Sequence, residues 1–250
     1  QHVFSGPPDI NSLAADDIVS KDGAKLIDVV ASHDAPGTLT VFQQVDAPNV
    51  PRFGAKWISE TDPQKGPITK VITAEFGDAQ GGGGATPYTD LMILMPDSGE
   101  IWQMIGQGDG NFAVTPTEVG GTAPYRVASC VEGRPIDMVA TLLGDPSQTF
   151  FDTLTDMVVI NDATNTLWTF RGAEVLTSSK FNSLGGILFD SPYIIDTVDK
   201  PKELHLADIN GDNRLDAVTL GADNVIAVSF AGNTELVPTD PNFSEEQTFV

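Results

Sequence analysis

Nine consecutive residues, Asp208-Ile209-Asn210-Gly211-Asp212-Asn213-Arg214-Leu215-Asp216, place oxygen-bearing side chains at the first, third, fifth and ninth positions of a short segment. Calcium takes roughly six to eight oxygen ligands, and this spacing lets one tight loop turn several carboxylates and carbonyls inward. Gly211 permits the bend, and Arg214 can add its backbone carbonyl at the seventh position. The expected Ca2+ ligands are therefore Asp208, Asn210, Asp212, Arg214 through its carbonyl, and Asp216. The competing reading is an acidic turn with no metal. An EF-hand is excluded, because its glycine belongs at position six and its bidentate glutamate at position twelve, where this chain has Asn213 and Thr219. The flanks, LHLA and AVTL, are strand-like, so the loop joins two strands.

Little else in the sequence offers catalytic chemistry. The three histidines, His2, His33 and His205, have no ligand-type spacing. No GxSxG, HExxH or GxxxxGK[ST] motif occurs. Cys130 has no neighbouring histidine to activate it and reads as a structural thiol. Catalytic residues are accordingly expected to be none. A glycosidase or lyase remains the alternative, since it needs only two facing carboxylates and this chain has acids in surplus. Trp57, in the polar stretch RFGAKWISETDP outside the hairpins, is the better candidate for an exposed aromatic, with packing within a loop as the competing reading. Asn242-Phe243-Ser244 is a formal glycosylation sequon, compatible with secretion.

The elements that position the loop emerge from an internal repeat. Four segments align without gaps on Asp28, Asp90, Asp156 and Asp216, with origins 62, 66 and 60 residues apart. Each aspartate precedes a short apolar run, a turn rich in Gly, Pro, Asp or Asn, and a second apolar run. Runs such as VVAS, LMIL, MVVI and AVTL are short and rich in strand-formers, so each pair predicts a β-hairpin. A period near 60 that holds several strands is close to that of the longer propeller repeats, whose blades have four antiparallel strands. The prediction is an all-β chain, residues 1–250, forming a β-propeller or part of one with about four blades. A β-sandwich with look-alike hairpins is the alternative. Trp102 and Trp168 share one offset in the second and third repeats and are expected to fill space between sheets.

Composition narrows the partners. With 13 Lys+Arg against 35 Asp+Glu, the net charge of −22 opposes nucleic acid and anionic membranes, both of which are held by clustered basic groups. No apolar run approaches the ~18 residues of a membrane-spanning helix. A lone cysteine leaves the compartment open. The start at Gln1, without a methionine or an apolar leader, predicts that a signal segment has been removed or that the chain is part of something longer.

The run from Leu206 through Asp216 resembles the strand–loop–strand core of FG-GAP/VCBS repeats, found in integrin α-subunit-like propellers. The segment Gly106-Gln107-Gly108-Asp109-Gly110-Asn111-Phe112 is similar to the GxGDGxF stretch that follows the hairpin in that family. This resemblance implies a propeller with calcium in its inter-strand loops, working outside the cell in adhesion or ligand binding, with a protein or carbohydrate partner. It also implies about seven blades, so four origins suggest a fragment, a small ring, or a ring completed by a neighbouring chain. The loops at 17–28, 77–90 and 145–156 depart from the ligand pattern, and the Gly81–Gly84 run reads as a loop insertion.

Overall fold

The structure is a computed structural model that describes residues 9–18, 27–35, 37–45, 52–60, 66–74, 89–106, 110, 112–113, 125–129, 133–141, 143, 155–170, 172–173, 188–189, 192–231 and 243–249. Apart from one 3-10 turn at Ala222–Asn224, the regular structure among these residues is antiparallel β. The chain divides into two compact units, residues 1–129 with 176–186, and residues 130–175 with 187–250.

In the first unit, β1 (Ile10–Asp16), β2 (Asp28–His33), β3 (Thr38–Val45) and β4 (Arg52–Glu60) form a sheet in chain order. A second sheet follows, of β5 (Lys70–Ala74), β6 (Asp90–Met95) and β7 (Glu100–Gly106). Its outer edge is shared by the two-residue β8 (Phe112–Ala113) and by β9 (Tyr125–Ser129), which both pair with β7. The second unit repeats the plan. One sheet runs β10 (Pro135–Thr141), β11 (Asp156–Asn161), β12 (Thr166–Phe170) and β15 (Tyr193–Asp196), with β13 (Gly172–Ala173) and β14 (Leu188–Phe189) forming a separate short ribbon. The other runs β16 (Glu203–Ala207), β17 (Asp216–Leu220), β18 (Ile226–Ala231) and β19 (Phe243–Phe249).

The four predicted hairpins are present as β2–β3, β6–β7, β11–β12 and β17–β18. Strands β6 and β11 are buried at every position. Their continuous apolar runs, LMIL and MVVI, fit strands covered on both faces, whereas a half-exposed strand would alternate. Three hairpins turn on a left-handed residue nine positions after the aspartate: Gly37 (φ 65°), Gly99 (φ 67°) and Asn165 (φ 55°). Glycine and asparagine are the residues that reach this region at least cost, which explains the turn composition of the repeat.

Within each unit the first strands of the two sheets lie beside one another, β1 against β5 and β10 against β16. The joint is the same in both. A register shift between Ile10 and Ser12 in β1 recurs between Pro135 and Asp137 in β10. Such bulges re-aim a side chain. Ser12 Oγ accepts the N–H of Val71 at 3.2 Å, and Asp137 Oδ2 accepts the N–H of Leu204 at 3.0 Å. Apolar side chains fill the remaining space. In the first unit Val30, Leu39 and Val41 share a core with Val71, Leu91, Ile93 and Met104. In the second, Val158, Ile160 and Leu167 share one with Leu204 and Ala217. Full burial of each of these Val, Leu, Ile and Met side chains is worth ~1.5–3 kcal/mol.

The polar stretch around Trp57 is not a loop. It is β4, with Trp57 opposite Thr40. An edge strand pairs through its backbone, so a polar, non-alternating sequence can occupy it without leaving a pattern in the letters.

Candidate functional site

Each origin aspartate is a buried strut. Asp28, Asp90, Asp156 and Asp216 are 0–4% exposed. Asp28 accepts the N–H of Ile18 at 3.1 Å through Oδ2 and that of Gln44 at 2.7 Å through Oδ1. Asp90 Oδ1 accepts the N–H of Gly106 at 2.8 Å, and Asp156 Oδ2 that of Leu143 at 3.0 Å. Asp216 repeats the full arrangement, with Ile209 N–H on Oδ2 and Ala231 N–H on Oδ1, both at 2.9 Å. One carboxylate thus ties the loop entering the hairpin to the far end of the next strand. Ionised acceptors make stronger hydrogen bonds than neutral ones, which offsets the cost of burying the charge.

The loop above Asp216 is different in character. Residues 208–213 are exposed, and the chain reverses through Gly211 (φ 81°) and Asn213 (φ 65°). Asp208 organises it from one end. Its Oδ1 accepts the N–H groups of Gly211 at 2.7 Å and Asp212 at 3.1 Å, and its Oδ2 accepts that of Asn213 at 2.9 Å. Asn210 Oδ1 accepts the N–H of Asp212 at 2.9 Å, and Asp212 Oδ1 accepts that of Arg214 at 2.9 Å. Asn210 Nδ2 donates to Asp212 Oδ2 at 3.0 Å. The backbone donors of residues 211–214 are therefore met by the loop's own side chains, and every donor turned this way fixes an oxygen at the tip.

Of the five residues named from sequence, Asp208, Asn210 and Asp212 are brought together at this tip, Arg214 closes it, and Asp216 sits beneath. Among the described residues no three His, Cys, Asp or Glu side chains gather closely enough to hold an ion. A cation here must therefore draw on the Asn210 amide oxygen and the carbonyl of residue 214 as well as carboxylates. The donor chemistry fits a hard cation: all oxygen, with lone pairs left on each carboxylate after the hydrogen bonds are counted. What sequence reasoning missed is the strut role of Asp216. The signal was available, because the aspartate recurs in three repeats whose loops depart from the ligand pattern.

Other candidates fall out separately. His33 is 2% exposed and meets Thr40 Oγ1 at 3.0 Å through Nε2, inside the first hairpin. His205 is on the exposed face of β16, 3.7 Å from Glu203. Trp102 is half-buried, packs on the first unit's core and donates to Glu100 Oε2 at 3.1 Å. Trp168 makes the equivalent bond to Thr166 Oγ1 at 2.7 Å and lies 6.1 Å from the Phe170 ring. His2, Cys130, Asn242, Gly81–Gly84 and the inner parts of the loops at 17–28, 77–90 and 145–156 lie outside the described residues. No membrane-length apolar helix occurs among the described residues.

No family model matches this chain, and no curated protein does. The resemblance to FG-GAP/VCBS repeats is thereby corrected: it rests on one loop and one glycine-rich stretch, and the aspartate that gives the repeat its period has a structural duty of its own in all four copies. Among solved structures, the chain is similar to a protein of Bacteroides fragilis provisionally named a 6-phosphogluconolactonase, with 12% identity and a TM-score of 0.42, over 95% of this chain and 70% of that one.

Proposed function

We propose that this chain is a recognition module of the β-propeller type, each unit supplying two blades, with Ca2+ held by Asp208, Asn210, Asp212 and the carbonyl of Arg214, above Asp216 as the buried strut. The observation that carries this reading is the exposed oxygen-rich tip at 208–214, anchored by a buried carboxylate. The ion would fix the loop against the two strands it joins and leave neighbouring loops to meet a protein or carbohydrate partner. Affinity in such sites follows ligand charge and rigidity. An exposed tip with two carboxylates, an amide and a carbonyl belongs with weak extracellular sites, for which Kd is ~10⁻⁴–10⁻³ M. A site that weak fills only where calcium is abundant, which argues for work outside the cell.

Calorimetric titration of chelator-treated protein tests the metal. Binding in that range is expected for the native chain and none for Asp212→Ala; no binding, or equal binding by the variant, overturns it. At tenfold Kd, calcium is expected to stabilise by about 1.4 kcal/mol and raise Tm by ~3–6 °C. A glycan array with product analysis tests the role. Binding without turnover supports carbohydrate recognition, neither points to a protein partner, and turnover rejects the reading in favour of an enzyme.

A further inference from the structure

The same loop carries the chain's sole Asn-Gly pair, Asn210-Gly211. Both residues are exposed, and a Cβ placed on Gly211 would meet nothing within 4 Å, so no neighbouring group crowds Gly211 at its Cα. Asn210 is set up as the electrophile. Its Oδ1 accepts the Asp212 N–H at 2.9 Å, which draws electron density from Cγ, while the bond from its Nδ2 to Asp212 Oδ2 at 3.0 Å works in the opposite sense and slows departure of the amine. The nucleophile is restrained: Gly211 N–H donates to Asp208 Oδ1 at 2.7 Å. Removing that proton breaks a charge-assisted hydrogen bond and leaves an anion beside a carboxylate.

We infer that Asn210 is a self-modification site, a spontaneous deamidation whose rate is held down by Asp208. Gly211 N attacks Asn210 Cγ and forms the N–C bond of a five-membered succinimide. The Cγ–Nδ2 bond breaks, and ammonia leaves with the proton lost from Gly211. Solvent water then opens the ring at either carbonyl, giving aspartate or isoaspartate, with no change in oxidation state. Aspartate would add a carboxylate at the tip. Isoaspartate would lengthen the backbone by a methylene and displace the oxygens that bond Asp212 and the residues after it.

The test is peptide mapping by mass spectrometry of folded protein aged in mildly alkaline buffer, with chelator present so that the result does not depend on a bound cation. Asn210 is expected to convert faster than every other asparagine, with isoaspartate among its products, and more slowly than in a free peptide of residues 206–216. Asp208→Ala is expected to speed conversion in the folded chain by roughly ten- to a hundredfold, the rate equivalent of one charge-assisted hydrogen bond. The same substitution in the peptide should leave its rate unchanged. Conversion no faster than at other asparagines rejects the site. An unaltered rate in folded Asp208→Ala, or an equal acceleration in the peptide, rejects the restraint. A parallel melting curve confirms that the variant is folded, and Asp208→Asn, which keeps the side-chain volume without the charge, repeats the test if it is not.

Discussion

Asp216→Ala is expected to lower the unfolding free energy by about 3 kcal/mol, with or without calcium, because two backbone donors then lose their acceptor. Asp216 is 0% exposed, and the buried Ala231 N–H is left facing the space its carboxylate filled. The Ile209 N–H lies closer to the surface, where water can reach it, so the loss is set mainly by the inner bond. Asn in place of Asp should recover little, since its NH2 would face one of the two N–H donors. For a chain of this size the melting temperature should fall by ~6–12 °C. Asp212→Ala, at the exposed tip, should change stability in chelator by no more than ~0.5 kcal/mol. Urea unfolding of both variants in chelator reads the difference. Equal stabilities would mean that Asp216 serves only an ion, and the strut would be wrong.

A comparable loss is expected for Gly133→Ala. A Cβ there would fall 1.6 Å from Asn161 Nδ2 and 2.5 Å from Cγ. Asn161 has nowhere to go. It is fully buried, and its Oδ1 accepts the N–H groups of Arg134 at 2.9 Å, Ala163 at 3.1 Å and Thr164 at 3.4 Å, which hold the start of β10 to the β11–β12 turn. Rotating the amide away would leave those donors without a partner, and pushing it bodily would strain the turn. The combined cost is about 3 kcal/mol. A double-mutant cycle separates the causes. If the clash is the mechanism, Gly133→Ala should add almost nothing once Asn161 is already alanine; full additivity in thermal unfolding would refute it.

These two sites show how far the letters reach. The hairpins were legible because an aspartate and two apolar runs recur at fixed offsets around a turn rich in Gly, Pro, Asp or Asn, and each feature has a local cause. The outer strands were not. β4 and β15 sit at sheet edges, and β15 exposes Tyr193 and Ile194, so no alternation marks them. Asn161 was equally hidden, because its importance comes from a glycine 28 positions earlier in the chain, brought against it by β10 pairing with β11. At the candidate site the oxygen spacing was readable, and the fold does assemble Asp208, Asn210 and Asp212. The strut duty of Asp216 was obscured because a ligand and a strut call for the same residue type, and only comparison across repeats whose loops depart from the ligand pattern separates them.

The bulged joint carries a consequence for how such a chain can grow. Ser12 and Asp137 reach across from β1 and β10, whereas β5 and β16 hold Lys70 and Glu203 at the matching register positions, in unbroken ladders. Donor-bearing and acceptor-bearing sheets therefore alternate, and a single hairpin segment is only half a module. Viable duplications or deletions should come in lengths near 126–128 residues, the spacing from Asp90 to Asp216 and from Asp28 to Asp156, because an odd copy would lack the complementary sheet that it meets within its unit.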